Sequence, residues 1–185
     1  MKLIFALLVI LPLAFPSEGS QISVSNGGYW GGWGGMEMCP PSYRAFGFSL
    51  KVEEKLGSGD DTALNGIRLL CRHRENRNLQ VTISSSEGRW GSWTHYQDCG
   101  YAYLLSFVLR VERPRGGRVD DTAANNIQFK CSDGRVLYGG GQTWGDWGKW
   151  SGLCYKGICG IMTRVEGPVG REDDTALNDV QFRCC

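Results

Sequence analysis

The sequence has little net charge and few histidines, and past its first residues it has no long apolar run. Twenty Lys and Arg stand against nineteen Asp and Glu, a formal net charge of +1. There is no single-sign field to steer nucleic acid or an anionic membrane, so neither is expected as a partner. The two histidines, His73 and His95, belong to no motif that ties them to a serine and an aspartate, which leaves Ser-His-Asp chemistry without support. Ser84-Ser85-Ser86 reads as a loop rather than a nucleophile elbow. Gly31-Gly32 and Gly139-Gly140-Gly141 open no helical pattern, so they are not phosphate cradles. No Asn-x-Ser/Thr sequon occurs, and N-glycosylation is not expected. No catalytic residue and no cofactor is assigned.

What is present is glycine, aromatics and cysteine. The 27 glycines among 185 residues are about twice the average share. With seven each of Trp, Tyr and Phe, this is the composition of short strands and tight turns. The one apolar run, Leu3 to Phe15, follows Lys2 and precedes small residues at Ser17 and Gly19. That is the pattern of a secretory signal peptide, too short to span a bilayer. Residues 1–19 are read as the signal peptide, with cleavage after Gly19, and 20–185 as a single exported domain that does not insert into membranes.

All eight cysteines follow that segment. An even number in an exported chain points to disulfides. Cys154 with Cys159, and adjacent Cys184 with Cys185, make a zinc site conceivable. However, structural zinc uses two short-spaced pairs, and adjacent cysteines chelate poorly.

One pattern occurs three times, at about 22–71, 79–131 and 135–185. Each copy carries Trp-Gly-x-Trp (Trp30/Trp33, Trp90/Trp93, Trp144/Trp147), a cysteine, Lys/Arg-Val-Glu ending at Glu53, Glu112 or Glu166, then Asp-Asp-Thr-Ala-x-Asn and a closing cysteine. The first Asp precedes the closing Cys by 11 positions every time. Repeats of this length are supersecondary units that bury a face against their neighbours. Phe46, Phe48, Leu50 and Val52 alternate with polar or small residues, as do Leu105, Phe107, Leu109 and Val111. Cys159, Ile161, Thr163 and Val165 form a weaker third series. Period two means strands with one buried face. Ile67/Leu69/Cys71, Ile127/Phe129/Cys131 and Val180/Phe182/Cys184 supply the next strand. An entering strand near Ile22/Val24, Leu79/Val81/Ile83 or Val136/Tyr138, plus the Trp stretch, makes four strands per repeat. Three such units close most simply as an all-β prism of three sheets about one core, since propellers usually need at least four blades.

The repeat suggests Cys39–Cys71 and Cys99–Cys131, with Cys154–Cys184 at the matching positions and Cys159–Cys185 as the addition. The crossed pairing, Cys154–Cys185 with Cys159–Cys184, stays open.

With its thrice-repeated Trp-Gly-x-Trp, Lys/Arg-Val-Glu and Asp-Asp-Thr-Ala-x-Asn and its terminal Cys184-Cys185, the chain resembles the vitelline membrane outer layer protein family from about Ile22 to Cys185. The resemblance implies a β-prism of three Greek-key sheets, four disulfides and a secreted component of an egg coat or mucosal fluid. Its partners would be extracellular coat proteins or glycans. The prism is shared with jacalin-type plant lectins, so sugar binding is a fold-level analogy. A link of the family to chito-oligosaccharides implies a further alternative, an enzyme acting on such sugars.

The acidic pairs Asp60/Asp61, Asp120/Asp121 and Asp173/Asp174 have two readings. They are candidate ligand-binding carboxylates for sugar hydroxyls. They are also turn chemistry, in which Asp side chains bond nearby backbone N–H groups. A catalytic pair needs two different environments, and three equivalent copies make that hard to build. Each Trp pair, spaced by three, should point to opposite faces of a strand, one Trp in the core and the other stacking on a sugar ring or simply covering a strand. Trp150 belongs to no repeat position and is the candidate exposed binding aromatic.

Overall fold

The protein is described by a computed structural model, which covers residues 19–53, 64–112, 124–167 and 176–185. Of the signal-peptide segment, residues 1–18 lie outside the described residues. So do all six paired aspartates, Asp60, Asp61, Asp120, Asp121, Asp173 and Asp174, with each link between Lys/Arg-Val-Glu and the following strand.

Three long antiparallel hairpins form the frame: β4 (Tyr43–Val52) with β5 (Leu64–His73), β9 (Leu104–Val111) with β10 (Ala124–Cys131), and β13 (Ile158–Val165) with β14 (Leu177–Cys184). Shorter strands complete them: β1 (Gln21–Ile22), β2 (Gly32–Trp33), β3 (Glu37–Met38), β6 (Gln80–Ser84), β7 (Ser92–Trp93), β8 (Gln97–Asp98), β11 (Val136–Tyr138) and β12 (Asp146–Trp147). The first sheet runs β6-β5-β4-β7, with β8 also on β4. The second runs β11-β10-β9-β12. The third runs β1-β14-β13-β2, with β3 also on β13. In the first two, three successive strands pair in turn and the fourth lies beside the first, which is a Greek key; in the third, β1 and β2 from the N-terminal end take the places of the third and fourth strands. The chain is therefore an all-β prism of three Greek-key sheets.

The sheets are not the sequence repeats. Each sheet takes its long hairpin from one repeat and its two flanking strands from the next, so β6 and β7 of the second repeat complete the first repeat's hairpin. The third sheet is completed by β1, β2 and β3 from the N-terminal end of the domain. This corrects the expectation of four strands per repeat in one sheet. The physical reason is local: a strand pairs most readily with its sequence neighbour, and the nearest partner of β6 is β5, a short turn away, rather than the later β9.

The disulfides follow from this exchange. They are Cys39–Cys71, Cys99–Cys131, Cys154–Cys184 and Cys159–Cys185. The N–H groups of Cys39, Cys99 and Cys154 donate to the carbonyls of Cys159 (2.7 Å), Phe46 (2.8 Å) and Leu105 (2.8 Å). Each of these cysteines thus sits on the sheet before its partner's. Three disulfides are internal to a repeat but join neighbouring sheets, forming a closed ring of staples. The fourth lies within the third sheet.

Phenylalanine fills the centre. The Phe48 and Phe129 rings are 4.7 Å apart, Phe107 and Phe182 4.8 Å, and Phe129 and Phe182 5.3 Å. All four are buried, and each such burial stabilises by about 1.5–3 kcal/mol. Each hairpin has two register shifts, and one of them falls at an equivalent place near the start of its first strand. A β-bulge follows Ala45, Leu104 and Ile158. Those three residues therefore face the core, while Phe46, Leu105 and Cys159, expected inward, become the extra residues of the bulge. Bulging frees Cys159 to meet Cys185.

Candidate glycan-binding cleft

Two elements of the internal repeat turn out to be halves of one contact. Trp-Gly-x-Trp of each repeat packs on Lys/Arg-Val-Glu of the preceding one. Trp33 lies opposite Arg164, Trp93 opposite Lys51 and Trp147 opposite Arg110. The intervening glycines have φ of 78° at Gly31, 88° at Gly91 and 74° at Gly145. A Cβ on Gly145 would fall 2.3 Å from the carbonyl oxygen of Val111. Only glycine meets both demands. The basic residue then reaches back: Arg164 Nε donates to the Gly31 carbonyl at 3.0 Å, and Arg110 Nε to that of Gly145 at 2.9 Å.

No tryptophan enters the core. Trp30, Trp90 and Trp144 are 49%, 47% and 49% exposed, and Trp33 and Trp147 are also exposed, which corrects the expectation of one buried Trp per pair. The chain turns at the positive-φ glycine, and the strand that follows is two residues long, so regular strand alternation does not apply. Trp33, Trp147 and Trp93 instead lie against Arg164, Arg110 and Arg68, at 5.9, 5.8 and 3.6 Å from ring centre to guanidinium carbon. Such contacts stabilise weakly at exposed sites. Trp150 is half-buried, with Lys130 Nζ 4.3 Å from its ring centre.

At one seam the Trp edge helps form a cleft of about 580 Å³. One wall is the loop Ser25–Tyr29, the other Val111, Glu112 and Asp146–Lys149. The first wall is tied to the third sheet by the N–H of Gly28, which donates to the Asn178 carbonyl at 2.7 Å. It is tied to the second by Asn26 Nδ2, which donates to the Leu109 carbonyl at 3.0 Å. Gly148 leaves the room that Asn26 occupies: a Cβ there would be 2.3 Å from Asn26 Oδ1. Behind Gly27 lies Asp179, half-buried. Burial pushes its carboxyl pKa up to about 6, against the opposing effects of the Val180 N–H it accepts and of the Arg164 charge.

The cleft is lined by two aromatic residues, Tyr29 and Trp147, together with Asp146, Glu112 and Lys149. Aromatic faces suit the C–H faces of a sugar ring, and carboxylates suit its hydroxyls. Of the ligand-binding residues expected from the sequence, the structure describes Trp150. The cleft-lining residues do not include Trp150. Asp60 and Asp61, Asp120 and Asp121, and Asp173 and Asp174 lie outside the described residues. Among the described residues, the carboxylates that line the cleft are Glu112 and Asp146. Tyr29 and Asp146 were not among the expected site residues, although each had a signal. Tyr29 directly precedes a Trp-Gly-x-Trp. Asp146 is the only acidic x in that motif, where Gly32 and Ser92 stand in the other copies.

The family model for vitelline membrane outer layer protein I matches residues 20–185. The chain belongs to that family. It is 49% identical over 172 residues to the vitelline membrane outer layer protein 1 homolog of Mus musculus, covering 92% of this chain and 85% of the relative. To the Homo sapiens homolog it is 52% identical over 166 residues, covering 89% and 82%. Among solved structures, Calystegia sepium agglutinin matches with a TM-score of 0.56 at 15% identity, covering 90% of this chain and 96% of the lectin. A mannose-specific jacalin-related lectin from Morus nigra, in complex with mannose, matches with a TM-score of 0.55 at 12% identity, covering 94% and 98%. At such identities the likeness is one of fold: this chain shares the β-prism of these lectins.

Proposed function

We propose that the protein is a secreted, non-catalytic component of an extracellular coat and that it works there by holding glycan in the seam cleft. The observation that carries this reading is the pairing of Tyr29 and Trp147 with Asp146 across one groove. The family supports the coat role, and the likeness of fold to a lectin in complex with mannose supports a sugar ligand. The ring of inter-sheet disulfides suits a protein that must persist outside cells.

Under this reading the pairs Asp60/Asp61, Asp120/Asp121 and Asp173/Asp174 serve the fold of the repeat rather than the ligand. The test is calorimetric titration with mannose- and N-acetylglucosamine-based oligosaccharides. Saturable binding is expected, weakened about tenfold or more by Tyr29→Ala or Trp147→Ala, in the range of one stacking aromatic. Single Asn replacements at Asp60, Asp61, Asp120, Asp121, Asp173 or Asp174 are expected to leave it unchanged. Absence of binding to every neutral oligosaccharide, or binding indifferent to both aromatic substitutions, would refute the reading. Turnover of chito-oligosaccharides lost on changing one Asp but not its repeat equivalents would favour the enzyme instead.

A further inference from the structure

At the end of the prism opposite the cleft, the pseudo-threefold symmetry breaks in a charged way. Arg44, Tyr103 and Gly157 precede the equivalent core residues Ala45, Leu104 and Ile158. They meet about the axis: a Cβ on Gly157 would lie 3.2 Å from Arg44 Cδ and 3.6 Å from Tyr103 Cβ. Arg72, Ser132 and Cys185 form a second equivalent set, each following the closing cysteine of its repeat. In the third repeat Cys185 is bonded to Cys159. In the first, the Arg72 guanidinium lies 4.1 Å from the centre of the Phe46 ring, and Phe46 occupies the place of Cys159. The first repeat thus puts two arginine side chains where the other two repeats carry the uncharged side chains of Tyr103, Ser132, Gly157 and Cys185.

These arginines are badly placed for stability alone. Arg44 and Arg72 are directly opposite across β4 and β5, where like charges repel. Arg72 is 6% exposed. Its Nη1 donates to the Gly100 carbonyl at 2.6 Å, but Nε and Nη2 have no partner among the described residues. Buried donors left unsatisfied cost free energy. Arg74 adds a third charge. Burial, and then the Arg74 charge, push the Arg44 pKa below the ordinary guanidinium value, partly offset by Tyr103. The neighbouring charge that acts most on Arg44 is thus another cation, not a carboxylate. Beside these arginines is a pocket of about 190 Å³ lined by Ser42, Tyr43, Arg44, Arg74, Lys156 and the Cys159–Cys185 bridge.

We propose that this base binds the sulfate ester of a sulfated glycan. Guanidinium forks offer paired donors that match a tetrahedral oxyanion. Exposed aromatics flank them, as a sugar ring carrying the sulfate requires and a bare ion does not. Tyr101 is 76% exposed, follows the Gly100 that holds Arg72, and has the Arg77 guanidinium 4.4 Å from its ring centre. Tyr155 is 59% exposed and precedes Lys156. The disulfides Cys39–Cys71 and Cys159–Cys185 fix the backbone on both sides, so the site is preorganised. It is independent of the cleft.

The test is titration of the intact protein with a heparin-derived tetrasaccharide and with its desulfated counterpart at matched ionic strength. Saturable binding of the sulfated sugar alone is expected. Arg44→Gln and Arg74→Gln, at the two arginines that line the pocket, should each weaken it about tenfold, as loss of a charge-assisted pair does, and Tyr29→Ala should not. Equal binding of the desulfated sugar, wild-type affinity in Arg44→Gln, or better competition by a phosphopeptide of equal charge would overturn the proposal.

Discussion

Two residues carry testable costs that follow from their surroundings. Gly145 combines a φ of 74° with a Val111 carbonyl oxygen 2.3 Å from where a Cβ would sit. Gly145→Ala should destabilise by about 2 kcal/mol or more in urea unfolding, through strain and backbone displacement. Asp179 has the opposite character. Its folded pKa, about 6, stands above the unfolded value of roughly 3.9. Between those values the folded state holds more protons than the unfolded, so stability falls as pH rises through that window and then levels off. Asn126 holds the equivalent position in the second repeat and accepts the Ile127 N–H at 2.8 Å, just as Asp179 Oδ1 accepts that of Val180 at 2.8 Å. Asp179→Asn should therefore keep the bond and remove the charge. It should stabilise by about 1–2 kcal/mol near pH 8, the full cost being reduced by solvent screening at a half-buried site. The gain should vanish below about pH 4. Unfolding midpoints of both proteins across pH measure this.

At the scale of strands, the sequence displayed the hairpins and hid the sheets. Alternation at Phe48/Leu50, Phe107/Leu109 and Val180/Phe182 marks inner faces directly, and the three cysteine pairs follow from equivalent positions. The exchange of strands was not legible, because a threefold repeat has no natural starting point. A cut before Trp-Gly-x-Trp and a cut before the hairpin fit the same motifs. The bulges were hidden because each moves a single residue, and Phe46 is as apolar as the Ala45 that faces the core. The cleft was half legible: aromatics were expected to bind, but Asn26 and Gly148 meet only through the exchange. The staples yield a prediction at this scale. Replacing Cys99 and Cys131 together by Ser should cost about 3–4 kcal/mol in the chain-entropy picture, read by denaturant unfolding. It should also loosen the contact between the first and second sheets, seen as faster amide exchange along β8 and β9.

For the molecule as a whole, symmetry separates what builds the fold from what the fold is used for. Features present in all three copies and described by the structure have structural partners: the Trp-Gly-x-Trp glycines sit on backbone, the basic residues cap carbonyls, and the cysteines link sheets. The departures from symmetry gather at two places, the seam cleft with Asp146 and Tyr29 and the opposite base with Arg44 and Arg72. A prism with one neutral-sugar site and one sulfate site at opposite ends would bridge glycan chains, which is what a coat component does. The most direct measurement is amide hydrogen exchange of the whole protein with and without a saturating neutral oligosaccharide. The account predicts slowed exchange at Ser25–Tyr29 and Asp146–Lys149 and no change near Arg44. Slowing spread equally over the segments around Trp30, Trp90 and Trp144, or confined to the Arg44 end, would contradict it.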